Sequence, residues 1–146
     1  MTKALVSLAC CAAFAVTSLP AFAELSGSVR ADFLGPGGHS LNNYGRTSAL
    51  HAAGRASILI QQTLPPGSYV ITNLTGGNSV NSIASDGLIE LDLTAANVEA
   101  YQALFTAVTA AVNAGATAEN AFRGVSVGSL TGGVPAWIRA TVSQME

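Results

Sequence analysis

Alternating hydrophobic and polar residues predict several strands in this chain. In Leu25–Leu34, LSGSVRADFL, every second residue from Leu25 to Phe33 falls on one side, and the polar Ser, Arg and Asp residues fall on the other. A period of two is typical of a strand with one buried face. The same reasoning predicts further strands over residues 56–64, 68–75 and 88–93, and a final hairpin from residues 125–130 and 136–144. The strands at 56–64 and 68–75 would form a hairpin across Pro65-Pro66-Gly67.

Two segments have the spacing of helices. Thr47–Ala53 is compatible with two helical turns that end at Gly54, and residues 95–114 predict a long helix that ends at Gly115. The order is then strand, short helix, hairpin, strand, long helix, hairpin. This order predicts an α+β fold, with a mainly antiparallel sheet of about five or six strands and the long helix packed on one face.

The long helix carries only one charge, Glu99, and has two apolar faces. The bulky face, which we expect to lie on the sheet, consists of Val98, Tyr101, Leu104, Phe105, Val108 and Val112. The second face contains only alanine: Ala100, Ala103, Ala107, Ala110 and Ala114. Small side chains allow another backbone to come close, so this face is a candidate surface for self-association. Alanine is also the best helix former, so the same face is compatible with a helix exposed to water.

The first 23 residues have the order of a secretory signal peptide. Lys3 precedes an apolar run, and Ala21-Phe22-Ala23 matches the small-residue cleavage pattern. Cleavage would leave residues 24–146 as a single α+β domain, exported to the periplasm, the cell surface or the medium. Lipid attachment at Cys10 or Cys11 is the alternative. Glu99, Gln102 and Asn113 interrupt the long helix, so we expect no membrane span after cleavage.

Charge and cysteine content exclude several classes of function. The full chain has a net charge of −2, and without residues 1–23 its five arginines face eight acidic residues, a net charge of −3. No basic stripe is present, so nucleic acid is an unexpected partner. Both cysteines belong to the leader, which leaves no disulfide and no thiol nucleophile.

Few residues suggest catalysis or metal binding. His39 and His51 are the two histidines, and their spacing matches no zinc motif, although a site with Asp32 is conceivable in space. Glu90 and Asp92 lie two residues apart on one strand face, a spacing at which a carboxylate pair can bind Ca²⁺ or act in glycoside hydrolysis. Solvated side chains are the ordinary interpretation of both sets, so no cofactor or metal is predicted.

The function predicted from these patterns is that of a small exported protein, not an enzyme, that acts by self-association or by a structural surface role. The alternative is a periplasmic or secreted binding module of the inhibitor type, with Tyr44, Trp137 and Arg139 as its recognition surface. A third hypothesis is a small enzyme or metal-binding protein that uses His39 or His51.

Overall fold

Four long antiparallel strands form the main sheet, and two helices pack together against it. The computed structural model describes residues 24–145. Its elements in chain order are β1 Leu25–Leu34, β2 Gly38–His39, α1 Ala49–Thr63, β3 Tyr69–Thr75, β4 Ser82–Ile83, β5 Asp86–Ala95, α2 Val98–Phe122, β6 Leu130–Thr131, β7 Val134–Pro135 and β8 Arg139–Gln144. The α+β class with the long helix on the sheet is therefore confirmed.

The alternation within the strands is also confirmed. The sheet has the order β3-β5-β1-β8, and each neighbouring pair is antiparallel. Every second residue from Val29 to Phe33 in β1 and from Ile89 to Leu93 in β5 is fully buried, and these core residues are Val29, Ala31, Phe33, Ile89, Leu91 and Leu93. At the start of β1, Leu25 is exposed and Gly27 is half-buried. Both helices contact this buried face, which is why the two central strands carry the largest apolar side chains.

The strand predicted over residues 56–64, and the hairpin built on it, are wrong. This segment belongs to α1, a helix of 15 residues. The run Ile58-Leu59-Ile60 resembles a strand, but the buried residues of α1 are spaced by three and four: Ala49, Ala52, Ala53, Ala56 and Ile60. Ile58 remains 55% exposed, because it lies on the opposite side of the helix.

Neither Gly54 nor Gly115 ends a helix, contrary to the prediction. Gly54 lies inside α1, and Gly115 lies inside α2, which continues to Phe122. A Cβ atom on Gly115 would lie 2.7 Å from the backbone nitrogen of Ala56, whereas one on Gly54 would meet no atom within 4 Å. Gly115 therefore allows α1 and α2 to approach closely, and Gly54 has no such packing role.

The predicted last hairpin is also wrong in its first half. Residues 130–131 pair with residues 134–135 in a separate two-residue ladder, and only β8 joins the main sheet. No helix within residues 24–145 is long and apolar enough to cross a membrane. The signal peptide predicted for residues 1–23, with its alternative at Cys10 and Cys11, lies outside the described residues and stays a prediction.

Candidate functional site

Two polar loops meet at one corner of the molecule. The loop that follows β1 contains β2, and the loop that precedes β5 contains β4, and these two short strands pair through Gly38–Ile83 and His39–Ser82. The backbone NH of Gly35 donates to Ser85 O at 2.8 Å, and that of Ser40 donates to Asn81 O at 2.9 Å. The main sheet therefore holds the two loops together through its adjacent strands β1 and β5.

Glycine is required where the first loop turns. Gly37 has a φ of +63° and Gly38 a φ of +129°, which are conformations that other residues rarely adopt. A Cβ atom on Gly38 would lie 2.7 Å from the side-chain nitrogen of Asn43. The Gly-Gly pair thus determines where the next residue, His39, is presented.

His39 is exposed at the tip of this corner, beside Asn81 from the other loop. Its Nδ1 accepts from the backbone NH of Leu41 at 3.2 Å, and its Nε2 lies 3.3 Å from Asn81 Nδ2. A neutral imidazole that accepts at Nδ1 carries its hydrogen on Nε2. His39 Nε2 and Asn81 Nδ2 are then two adjacent donors, and one oxygen atom of a ligand could accept from both.

A cavity of about 240 Å³ opens beside this tip. Its walls come from both loops, from the first turn of α1 and from the end of α2. The residues that line it are Ser40, Tyr44, Gly45, Arg46, Ser48, Leu50, His51, Ser82, Ile83, Ala84 and Arg123. Arg46 Nη1 donates to Gly37 O at 3.1 Å, which connects the cavity wall to the Gly-Gly turn.

A fully buried carboxylate, Glu119, lies behind the cavity and connects α2 to the start of α1. Glu119 accepts from the backbone NH of Ser48 at 3.1 Å, from Arg55 Nε at 3.1 Å and from Arg123 Nε at 3.2 Å. Ser48 is the N-cap of α1, so the negative charge lies at the positive end of that helix dipole. Two charged partners and a helix end compensate the burial of this carboxylate.

The histidines predicted as a metal or catalytic pair do not form one site with Asp32. His51 lines the cavity and lies 3.9 Å from Glu119, His39 is at the loop tip, and Asp32 is ion-paired with Arg30 on the sheet. Among residues 24–145, no group of three or more His, Cys, Asp or Glu side chains is arranged to hold a metal ion.

The predicted carboxylate pair on β5 is divided between different partners. Glu90 accepts from Arg30 Nη1 at 3.3 Å and from Asn73 Nδ2 at 3.1 Å, whereas Asp92 accepts from Ser28 Oγ at 2.6 Å. The hydrogen bond from Arg30 to Asp32, together with the charge of that carboxylate, raises the pKa of the Arg30 guanidinium. The contacts of Glu90 and Asp92 are cross-strand pairs on the polar face of the sheet, whereas Arg30 and Asp32 lie in the same strand.

The alanine face of α2 is divided between the core and the surface. Ala100 and Ala107 are half-buried and pack against the core, whereas Ala103, Ala110 and Ala114 are exposed. The part of α2 that packs against α1 is instead its C-terminal half, in which Ala111, Gly115, Ala116 and Glu119 are buried. The role of the alanine face in self-association stays a prediction.

The predicted recognition surface is spread over two parts of the fold. Tyr44 is 93% exposed in the loop before α1 and lines the cavity. Trp137 is half-buried just before β8, and Arg139 is exposed as the first residue of that edge strand. Of the three, only Tyr44 belongs to the corner that carries His39.

Sequence reasoning missed four residues of this corner: Asn81, Arg46, Glu119 and Arg123. Asn81 and Arg46 lie in loops whose pairing depends on the sheet topology. Glu119 and Arg123 could have been assigned to a helix from the sequence, because opposite charges four residues apart are typical of a helix surface. The expected helix end at Gly115 separated them from α2 and concealed that signal.

No protein-family model matches the chain, and no curated protein matches its sequence. Solved structures share its fold. An aminobenzoyl-glutamate utilization protein from Klebsiella pneumoniae has 15% identity and a TM-score of 0.62, over 88% of this chain and 32% of its own. A hydantoinase/carbamoylase family amidase from Burkholderia ambifaria has 17% identity and a TM-score of 0.64, over 84% of this chain and 28% of its own. A tripeptidase from Staphylococcus aureus has 16% identity and a TM-score of 0.56, over 83% of this chain and 29% of its own.

These likenesses overturn the function predicted from the sequence. The chain spans about a third of the length of the solved proteins whose fold it shares, and those proteins include an amidase and a peptidase. The predictions of a non-enzymatic structural protein and of an inhibitor-like module are therefore wrong. The predicted export to the periplasm, the cell surface or the medium stays a prediction.

Proposed function

We propose that this chain acts as an auxiliary domain of an amide-hydrolysing enzyme, whose hydrolytic centre belongs to another domain or chain. One observation carries the proposal: more than four fifths of the chain shares its fold with a smaller part of an amidase and of a tripeptidase. The substrates named for these neighbours contain amide or peptide bonds, and we take amide compounds with a free carboxylate as the substrate class.

The corner with His39 and Asn81 supports a role on the substrate side. During amide hydrolysis negative charge develops on the carbonyl oxygen, and preorganised donors that face it stabilise the transition state. His39 Nε2 and Asn81 Nδ2 are 3.3 Å apart, a spacing at which both can donate to one oxygen. Their exposure allows them to reach a substrate held by another part of the enzyme.

The fixed geometry of the loop supports the same role. His39 O accepts from Asn43 Nδ2 at 3.0 Å and from the backbone NH of Asn43 at 3.1 Å. An exposed donor on a loop that is held in this way loses little conformational freedom when it binds a substrate.

We also propose that the domain self-associates through the outer edge of β3. An edge strand presents unpaired backbone groups that can pair with another chain. The seven residues of β3, YVITNLT, carry no charge, and Val70 and Leu74 are 63% and 45% exposed. The other edge, β8, begins with exposed Arg139, which disfavours pairing there.

Calorimetric titration tests the substrate role. The ligands are aminobenzoyl-glutamate, an N-carbamoyl amino acid and a tripeptide, and the matched variants are Asn81→Ala and Asn113→Ala, since Asn113 is exposed on α2. We expect at least one ligand to bind and Asn81→Ala to weaken its binding about two- to tenfold, as for a lost hydrogen bond to a neutral carbonyl oxygen. Asn113→Ala should leave the affinity unchanged.

Two outcomes of the same experiment would contradict the proposal. If no ligand of the panel binds, or if both variants weaken binding equally, the corner does not recognise these substrates. If the chain alone releases the product amine from any ligand, it carries its own hydrolytic centre and is not an auxiliary domain.

A further inference from the structure

The cavity beside the loop tip has the composition of an anion site. Its lining residues include two arginines, Arg46 and Arg123, one histidine, His51, and the hydroxyl groups of Ser40, Tyr44, Ser48 and Ser82. Among the residues that the structure describes, no Asp or Glu side chain lines it. Guanidinium groups and hydroxyls are the usual protein partners of carboxylate and phosphate oxygens.

Positive charge is concentrated at this corner in a chain of negative net charge. Three of the five arginines of residues 24–146, namely Arg46, Arg55 and Arg123, lie there. Within residues 24–145, Glu119 is the one acidic group ion-paired with them, and it binds Arg55 and Arg123. These three guanidinium groups and this carboxylate sum to a charge of +2, whereas Asp86, at the start of β5, accepts from the backbone NH of Gly77.

The arginines keep donors available although Glu119 engages two of them. Arg55 and Arg123 each bind Glu119 through Nε, and no acceptor within residues 24–145 is hydrogen-bonded to the Nη groups of Arg123. Arg46 uses Nη1 for Gly37 O, and no such bond involves its Nη2 in the same part of the chain. Because Glu119 is fully buried and lies outside the lining, it orients Arg123 without filling the cavity.

The size of the cavity is compatible with a small ligand. Its volume is about 240 Å³, and one side is open to solvent. A cavity of this size holds several water molecules, so it can accommodate a small organic acid or inorganic phosphate.

We infer that this cavity is a binding site for a small oxyanion, a carboxylate or a phosphate, held by Arg46 and Arg123. The site is separate from the His39–Asn81 donors, because neither residue lines the cavity. Its walls include both loops and the ends of both helices, so a bound anion would join these four segments. The inference goes beyond the proposed function and does not depend on it.

Titration followed by ¹H–¹⁵N NMR tests the site with acetate, inorganic phosphate and chloride, each added to the full chain at constant ionic strength. We expect saturable shifts of the Arg123 Nε–H signal and of the Ser48 and Ser82 amides with acetate or phosphate, and none with chloride. Saturation by only one of the two identifies the source of the oxyanion. Arg46→Gln and Arg123→Gln should each weaken binding about tenfold, whereas Arg139→Gln, which removes the same charge elsewhere, should not.

The inference is overturned if no oxyanion gives saturable shifts, or if Arg139→Gln weakens binding as much as the cavity variants. Arg46 and Arg123 come from different elements, so a folding defect in one variant, revealed by its amide spectrum, leaves the other as the test. Acetate and phosphate contain no amide bond. Failure here therefore leaves the proposed substrate role standing, and success here does not establish it.

Discussion

At the scale of single residues, Glu119 is the one charged side chain that is fully buried in the described part of the chain. Its side chain is fully buried, and its two oxygens accept from Ser48, Arg55 and Arg123. Arg55 and Arg123 also lie over the Phe122 ring, at 4.9 and 5.0 Å from its centroid. One carboxylate thus orients two guanidinium groups and the first turn of α1.

We therefore expect Glu119→Gln to lower the free energy of unfolding by about 2–4 kcal/mol, because two guanidinium groups lose their charged partner. Chemical denaturation measures the change. Glu99→Gln, in the exposed first turn of the same helix, is the matched control and should change stability by less than about 0.5 kcal/mol. Equal stability of the two variants would show that Glu119 does not hold the corner together.

Sequence reasoning identified residues of the candidate site only where their type was unusual. Histidine and exposed tyrosine are residue types often found in functional sites, and His39 and Tyr44 both lie at the corner. Asn81 and Arg46 are common loop residues, and their meaning depends on the pairing of β2 with β4. That pairing follows from the antiparallel alignment of β1 with β5, which no local pattern specifies.

At the scale of the elements, we expect opposite changes in stability when each of the two glycines inside helices is replaced by alanine. Gly115→Ala should destabilise the protein by about 1–3 kcal/mol, because the new Cβ would overlap the backbone of Ala56. Gly54→Ala should stabilise it by about 0.5–1 kcal/mol, because the new Cβ meets nothing and alanine favours the helix. Thermal and chemical unfolding of the pair measure both signs.

The comparison of these two variants tests the close packing of α1 against α2. If Gly115→Ala were as stable as Gly54→Ala, the close approach of the two helices at Ala56 would be contradicted. Stabilisation by Gly54→Ala would in turn exclude a left-handed helix end at this position, since alanine is strained there.

The edge of β3 gives a prediction about self-association. Val70→Lys should weaken the association by at least about tenfold, because a charge on an edge strand opposes pairing with a second copy. Ala110→Glu, on the exposed part of the alanine face, should have little effect. Sedimentation over a range of concentrations measures both.

If Ala110→Glu weakens the association and Val70→Lys does not, the alanine face of α2 is the contact surface. A wild-type chain that stays monomeric at all concentrations would contradict both surfaces.

The elements were predictable where one face is buried and the period is regular. The strands β1, β3 and β5 have that property, and their positions follow from the alternation. In α1 the buried positions are mostly alanines, which contrast little with their neighbours, so the bulky Ile58, Leu59 and Ile60 dominated the pattern. The helix-to-helix contact that selects alanine and glycine there becomes visible only with α2 in place.

At the scale of the whole molecule, the fold class follows from the sequence and the function does not. An α+β sheet with a long helix is consistent with the order of periodic segments, and it is what the chain adopts. The low charge of α2 suggested an exported assembly protein. Packing against α1 and the sheet accounts for the buried positions of this helix, whereas its exposed residues Gln102, Ala103, Thr106, Ala110, Asn113 and Ala114 are also uncharged. The likeness in fold to larger solved proteins, among them an amidase, is visible only in three dimensions.

At this scale we propose that the corner formed by the two polar loops recognises amide substrates. The most direct measurement is an amide-resolved NMR titration of the chain with aminobenzoyl-glutamate. We expect saturable shifts confined to residues 37–46 and 78–85, and a weaker affinity in Asn81→Ala. Shifts spread over the polar face of the sheet, or no saturable shifts with this ligand, an N-carbamoyl amino acid or a tripeptide, would contradict recognition by this corner.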